Sequence, residues 1–227
     1  MLAHSKALGT KEELKLTCPI CHKRKVKRFC PARGDNICAV CCGTEREVTI
    51  DCPADCPHLV ASRQYETGRR QVDWSKMPFP EVQLSAEFAR SHAVLLTTLL
   101  TSIGGYAREH RQLVDTDAVA ALQALAESYR TLSNGLYYEK PPDYLYQREL
   151  YQELKATLEE FQRVQTQRQG LITLRNSDLR DSLIYLTQLG ALRANGRPKG
   201  RAFLDMVRME FAPESSAKAD SKIVLLS

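Results

Sequence analysis

From Asp143 to about Gln169 the apolar residues Leu145, Leu150, Leu154, Leu158, Phe161 and Val164 form a stripe at helical spacing on a charged background. The same period recurs elsewhere. Residues 81–103 read as a helix interrupted at Gly104–Gly105, with YAREHRQL continuing it after a kink. Asp115 or Thr116 is placed to cap a helix that stops at Asn134–Gly135, and Asn176 or Ser177 one that stops at Asn195–Gly196. Asp55 and Pro57 open a further helix ending near Gly68, and a short one follows Pro198. The stretch 71–80 carries two prolines and the only tryptophan, and reads as a linker with an anchoring aromatic. Five or six helices with short connections, and no strand run outside the first seventy residues, predict an α-helical bundle over 81–212.

The first seventy residues break that pattern. Cys18, Cys21, Cys30, Cys38, Cys41, Cys42, Cys52 and Cys56 fall within 39 residues, and no other cysteine occurs in the 227-residue chain. Two CxxC pairs and a closing CxxxC are metal-ligand spacings. The opening residues hold no uninterrupted apolar stretch, so a cytoplasmic protein is expected, where thiols meet metal more often than they form disulfides. The longest mostly apolar stretch, His92 to Gly105, falls short of the roughly 20 residues of a membrane helix, so no membrane partner is expected. Zinc suits all-thiolate tetrahedral sites, and eight thiols fill two. The spacings do not match the cysteine runs of iron–sulfur ferredoxins.

The fold class expected is therefore mainly α, a small N-terminal two-zinc module followed by an all-α helical bundle. The boundaries are a tail over 1–15, the module over 16–70, the linker over 71–80, the bundle over 81–212 and a tail over 213–227. Each CxxC pair grips one metal from a tight turn, and neighbours such as Cys41 and Cys42 do not share an ion without strain. That assigns Cys18, Cys21, Cys38 and Cys41 to one zinc and Cys30, Cys42, Cys52 and Cys56 to the other, an interleaved division. A sequential division, Cys18 through Cys38 on one ion and Cys41 through Cys56 on the other, remains open. His22 and His58 adjoin the cysteines as substitute ligands, but eight thiols already suffice. Prolines after Cys18, Cys30, Cys52 and Cys56 stiffen the ligand turns, and Gly34 and Gly43 stand where tight turns are needed.

The stretch from Cys18 to about His58 resembles the cross-brace, treble-clef-like zinc fingers, such as the HIT-type, MYND and B-box fingers. Those families close with a His and Cys pair where this chain has Cys52-x3-Cys56. The whole chain is similar to a bacterial protein type in which such a module precedes a helical domain. The resemblance implies a binding module for protein or RNA partners.

Charge sharpens this. Residues 1–70 hold 13 Lys and Arg against 8 Asp and Glu, while the remainder is balanced at 19 of each. Two four-thiolate zinc sites would offset most of that excess. What is left is one local run, Lys23, Arg24, Lys25, Lys27 and Arg28, followed by Phe29. Its cations suit phosphates and its ring suits a base. Arg197, Lys199 and Arg201, around Gly200 and before a helix start, form a candidate anion-binding loop. Tyr137, Tyr138, Tyr144, Tyr146 and Tyr151 form a candidate aromatic surface.

Catalysis finds no motif. There is no GxSxG, Walker loop, HExxH or Rossmann fingerprint. His4, His22, His58, His92 and His110 are scattered, and closed thiolate sites leave no open position for a zinc-bound water. The expected function is a non-enzymatic zinc protein contacting nucleic acid, RNA or DNA, through the basic run. The runner-up is a protein–protein adaptor with a structural zinc module. A small-molecule substrate is not expected.

Overall fold

The computed structural model describes residues 17–136, 138–169 and 174–211. The expected tails, Tyr137 and the Gly170 helix stop lie outside these residues. The chain forms two compact units. The first holds the described residues to Val72 together with Asn195–Arg201, and the second holds the described residues of 73–194 and 202–211. The described residues form eight α-helices and one two-stranded sheet, so the protein is mainly α. Among the described residues no helix is long and apolar enough to cross a membrane.

In the first unit β1 (Arg28–Cys30) pairs antiparallel with β2 (Asp35–Ile37), placing Arg28 opposite Ile37 and Cys30 opposite Asp35. Gly34, at φ +64°, closes the turn by donating its N–H to the Cys30 carbonyl at 2.9 Å. Helix α1 (Ala39–Glu45) follows β2, and α2 (Pro57–Thr67) starts on Pro57 and stops at Gly68. Gly43 lies within α1 and not in a turn. The main buried cluster consists of Ile37, Ile50 and five cysteines. Two isoleucines are too little apolar surface to hold such a unit without a covalent or metal staple.

The chain re-enters this unit at Asn195–Arg201, inside what the periodicity reads as bundle. Asn195 donates to the Glu47 carboxylate at 2.7 Å and the Lys199 N–H to the Glu47 carbonyl at 2.8 Å. Arg197 donates to the carbonyls of Gly43 and Arg46 at 3.2 and 2.6 Å. Lys199 Nζ reaches the Thr49 carbonyl at 2.7 Å, and Arg201 pairs with Asp51. Gly200 has no room for a side chain, since a Cβ there would lie 2.5 Å from Asn195 Oδ1.

The second unit contains α3 (Ala86–Ser91), α4 (Ala93–Glu109), α5 (Asp115–Ser133), α6 (Leu145–Gln169), α7 (Asn176–Arg193) and α8 (Ala202–Glu210). Helix α5 packs chiefly on α7 and also on α6, while α4 packs on α6 and α8. Leu99, Ile103, Leu122, Leu125, Leu154, Leu183 and Phe203 are among its fully buried residues. The α5–α7 approach depends on Gly190, where a Cβ would stand 2.9 Å from Val119 Cγ2.

Four details differ from the sequence reading. The helix expected over 81–103 is broken at His92, whose Nδ1 lies 3.0 Å from the Phe88 carbonyl and whose ring stacks on Phe88 at 4.1 Å. The expected break at Gly104–Gly105 is absent. Gly104 instead gives space to Val207, whose Cγ1 would be 3.3 Å from a Cβ there. Trp74 is 61% exposed, and Phe79 is the aromatic anchored in the core, held by Gln188 Nε2 donating to the Phe79 and Val82 carbonyls. The caps differ too: Asp117 and Asp178 reach back to the N–H groups of Val114 and Arg175.

Candidate metal centre and basic edge

Cys18 and Cys21 stand on the turn before β1, and Cys38 and Cys41 on the first turn of α1. Cys38 is the N-cap of α1, and its sulfur accepts the Cys41 N–H at 3.3 Å. That bond fixes the second pair, as the Cys18 N–H to the Arg24 carbonyl and the His22 N–H to the Cys18 carbonyl, both 2.8 Å, fix the first. The four Sγ atoms lie within 4.8 Å of one another. Cys21 and Cys38 sulfurs are 3.9 Å apart, close to the edge of about 3.8 Å in a tetrahedron with Zn–S near 2.3 Å. The four thiols therefore fit a zinc ion, and they are those of the interleaved division. Cys41 takes the place the sequential division gives to Cys30.

Electrostatics point the same way. The Lys23 N–H holds the Cys21 thiol at about 6 against burial, with help from the Arg24 N–H and the Cys41 and Cys18 thiols. Burial pushes Cys18 up, but N–H groups of Cys38, Cys21 and Ile20 outweigh it and leave the thiol below its ordinary value. Burial and the thiols of Cys38, Cys21 and Cys18 push Cys41 up to about 12. Four thiols at this spacing cannot all ionise without a cation between them. A dication reverses that, releasing protons as it binds.

Among the described residues no second group gathers to this spacing. Cys30, Cys42 and Cys56 are buried and Cys52 is half-buried. Burial raises the Cys52 thiol, the Glu47 N–H lowers it, and the charges of Cys56, Cys30 and Glu47 raise it further. Cys42 accepts from Arg28 Nη1 at 3.6 Å and from Arg46 Nη2 at 3.7 Å.

The basic run is divided by the strand alternation. Lys23, Arg24, Lys25 and Lys27 are exposed, and Phe29 is 58% exposed. Among the described residues none of these four cations has an ion-pair partner. Arg28 is half-buried and turned to Cys42. The expected anion loop has its donors on the first unit's own groups, Arg197 and Lys199 on carbonyls and Arg201 on Asp51. Of the tyrosines, Tyr138 and Tyr144 are exposed and Tyr151 is fully buried with its hydroxyl 3.1 Å from Ser128 Oγ.

Sequence reading missed Arg46. It lies beyond the basic run with no motif around it, yet it is buried beside Arg28. Both charges, after burial, push the His58 imidazole below its ordinary value. Comparison with protein-family models, with curated proteins and with solved structures returns no match for this chain. Its chemistry is read from its own geometry.

Proposed function

We propose that the chain is a non-enzymatic protein with two zinc ions that contacts nucleic acid, RNA or DNA, through the basic edge of its cysteine-rich unit. Cys18, Cys21, Cys38 and Cys41 hold the first zinc. Cys30, Cys42, Cys52 and Cys56 hold the second, with Arg28 and Arg46 donating to the Cys42 sulfur as outer partners of a thiolate. The observation that carries the nucleic-acid reading is the exposed set Lys23, Arg24, Lys25 and Lys27, without an ion pair among the described residues and followed by the exposed ring of Phe29. Cations without carboxylate partners release counterions on meeting phosphates, and an outward ring offers a base a stacking face.

Fluorescence anisotropy of the zinc-loaded full chain against short single- and double-stranded RNA and DNA, over a salt series, tests this. Binding should weaken as salt rises. Changing Lys23, Arg24, Lys25 and Lys27 to Gln should flatten the log–log salt slope by roughly 3 while zinc content stays unchanged. Absence of binding at low salt would overturn the reading and leave a protein-docking role for the unit.

A further inference from the structure

Arg28 from β1 and Arg46 from the end of α1 converge on one sulfur, Cys42 Sγ, at 3.6 and 3.7 Å. With His58, Ala61, Ser62 and Tyr65 of α2 they line a pocket of about 230 Å³. Among the described residues neither guanidinium pairs with a carboxylate. Arg46 is 8% exposed, so its charge is held in place by the fold and weakly hydrated. A weakly hydrated guanidinium needs acceptors for its remaining donors, and one sulfur shared by two arginines takes a single N–H group from each. Each guanidinium carries five N–H donors in a planar fork, of which the sulfur uses one. Among the described residues no carboxylate lines the pocket, and the Ser62 hydroxyl donates to Glu66 at 3.0 Å. Tyr65 stands at the mouth, 60% exposed, with the Arg69 guanidinium 4.3 Å from its ring centre.

Two fixed forks and an imidazole match a group with several oxygens and nearly two negative charges. A phosphomonoester has three terminal oxygens and a charge of about −1.5 to −2 at neutral pH. A phosphodiester within a strand has one charge and two such oxygens. A concave pocket with a buried arginine in its wall also favours a group that projects from a chain end. Guanidinium forks bind such oxygens in pairs.

We propose that this pocket binds the terminal phosphomonoester of a nucleic-acid strand, with Arg28 and Arg46 as fork donors, His58 as a third donor and Tyr65 stacking on the terminal base. The proposal rests on the nucleic-acid reading above and specifies which part of the strand is recognised.

The test uses the zinc-loaded full chain and single-stranded oligonucleotides of one sequence, carrying a phosphate at the 5′ end, at the 3′ end or at neither, with the dye at the other end. One phosphorylated form should bind roughly tenfold tighter than the unphosphorylated strand, and inorganic phosphate should compete away that difference alone. Ala61→Glu, on the exposed face of α2, adds a carboxylate to the lining without touching a proposed ligand or the lysine edge. It should abolish the preference and leave binding of the unphosphorylated strand unchanged. Ala61→Lys should keep the preference, which separates charge from a folding defect. If all three strands bind equally, the pocket assignment is overturned and the nucleic-acid reading stands. If none binds, the nucleic-acid reading fails and this inference fails with it.

Discussion

Cys41 and Cys42 are neighbours in sequence with opposite surroundings. The Cys41 sulfur faces three other thiols, whereas Cys42 faces two guanidiniums. That Cys41 and not Cys42 joins the first cluster was legible without coordinates, because the strain of two neighbours on one ion needs only the length of one peptide unit. Cys18→Ser should therefore lower the zinc content of the purified chain from two ions to one, and Cys42→Ser should do the same through the other site. The double variant should retain none. Metal content by mass spectrometry against protein concentration decides it. A wild-type content of one zinc, unchanged in Cys42→Ser, would remove the second ion and keep the first. The partners of Arg197 and Lys199 were not legible, because the carbonyls they meet lie about 150 positions earlier in the chain. A Gly- and Arg-rich loop before a helix reads alike whether its donors face an anion or a distant carbonyl.

Helix α6 was readable from apolar spacing, because a long periodic stripe has few alternative structures, and α5 and α7 from the Asn–Gly stops that follow them. The division between α3 and α4 was not. It involves no proline or glycine, only the His92 ring stacked on Phe88 and its nitrogen at the Phe88 carbonyl. The reverse error arose at Gly104, which serves close packing and not a kink. Gly190 has the same role in a tighter place, 2.9 Å from the Val119 methyl where a Cβ would stand. Alanine has the better helix propensity, so on an isolated helix Gly190→Ala would stabilise by up to about 1 kcal/mol. Here overpacking should win, and urea unfolding should show a net loss of about 1–3 kcal/mol. A matching Val119→Ala change should recover part of it, since the clash is with that side chain. Failure of the double variant to recover would place the cost elsewhere on α7. The capping aspartates show a similar limit of local reading. Asp115 is not the cap of its own helix but accepts from the Phe203 and Leu204 N–H groups at the start of α8, 3.1 and 3.0 Å away.

At the scale of the whole chain the two units differ in what holds each together. The second has a core of leucines, isoleucines and aromatics buried among six helices, which apolar burial can sustain alone. In the main cluster of the first, cysteines outnumber buried apolar side chains, so its folding free energy is bound up with metal binding. The unit boundary also crosses the sequence, since Asn195–Arg201 belongs with the cysteines and not with the helices flanking it. Removal of metal by a strong chelator should therefore act on a discontinuous set of residues. Hydrogen exchange should show amides of residues 17–72 losing protection together with those of 195–201, including the Lys199 N–H that donates to the Glu47 carbonyl. Amides of α4, α5 and α7 should keep theirs, and restoring zinc should reverse the change. A tandem arrangement of two uninterrupted domains gives a different pattern, with 195–201 remaining as protected as α7. Loss of protection in α5 and α7 as well would mean that the helical core depends on the metal, which the separation of the two buried clusters argues against.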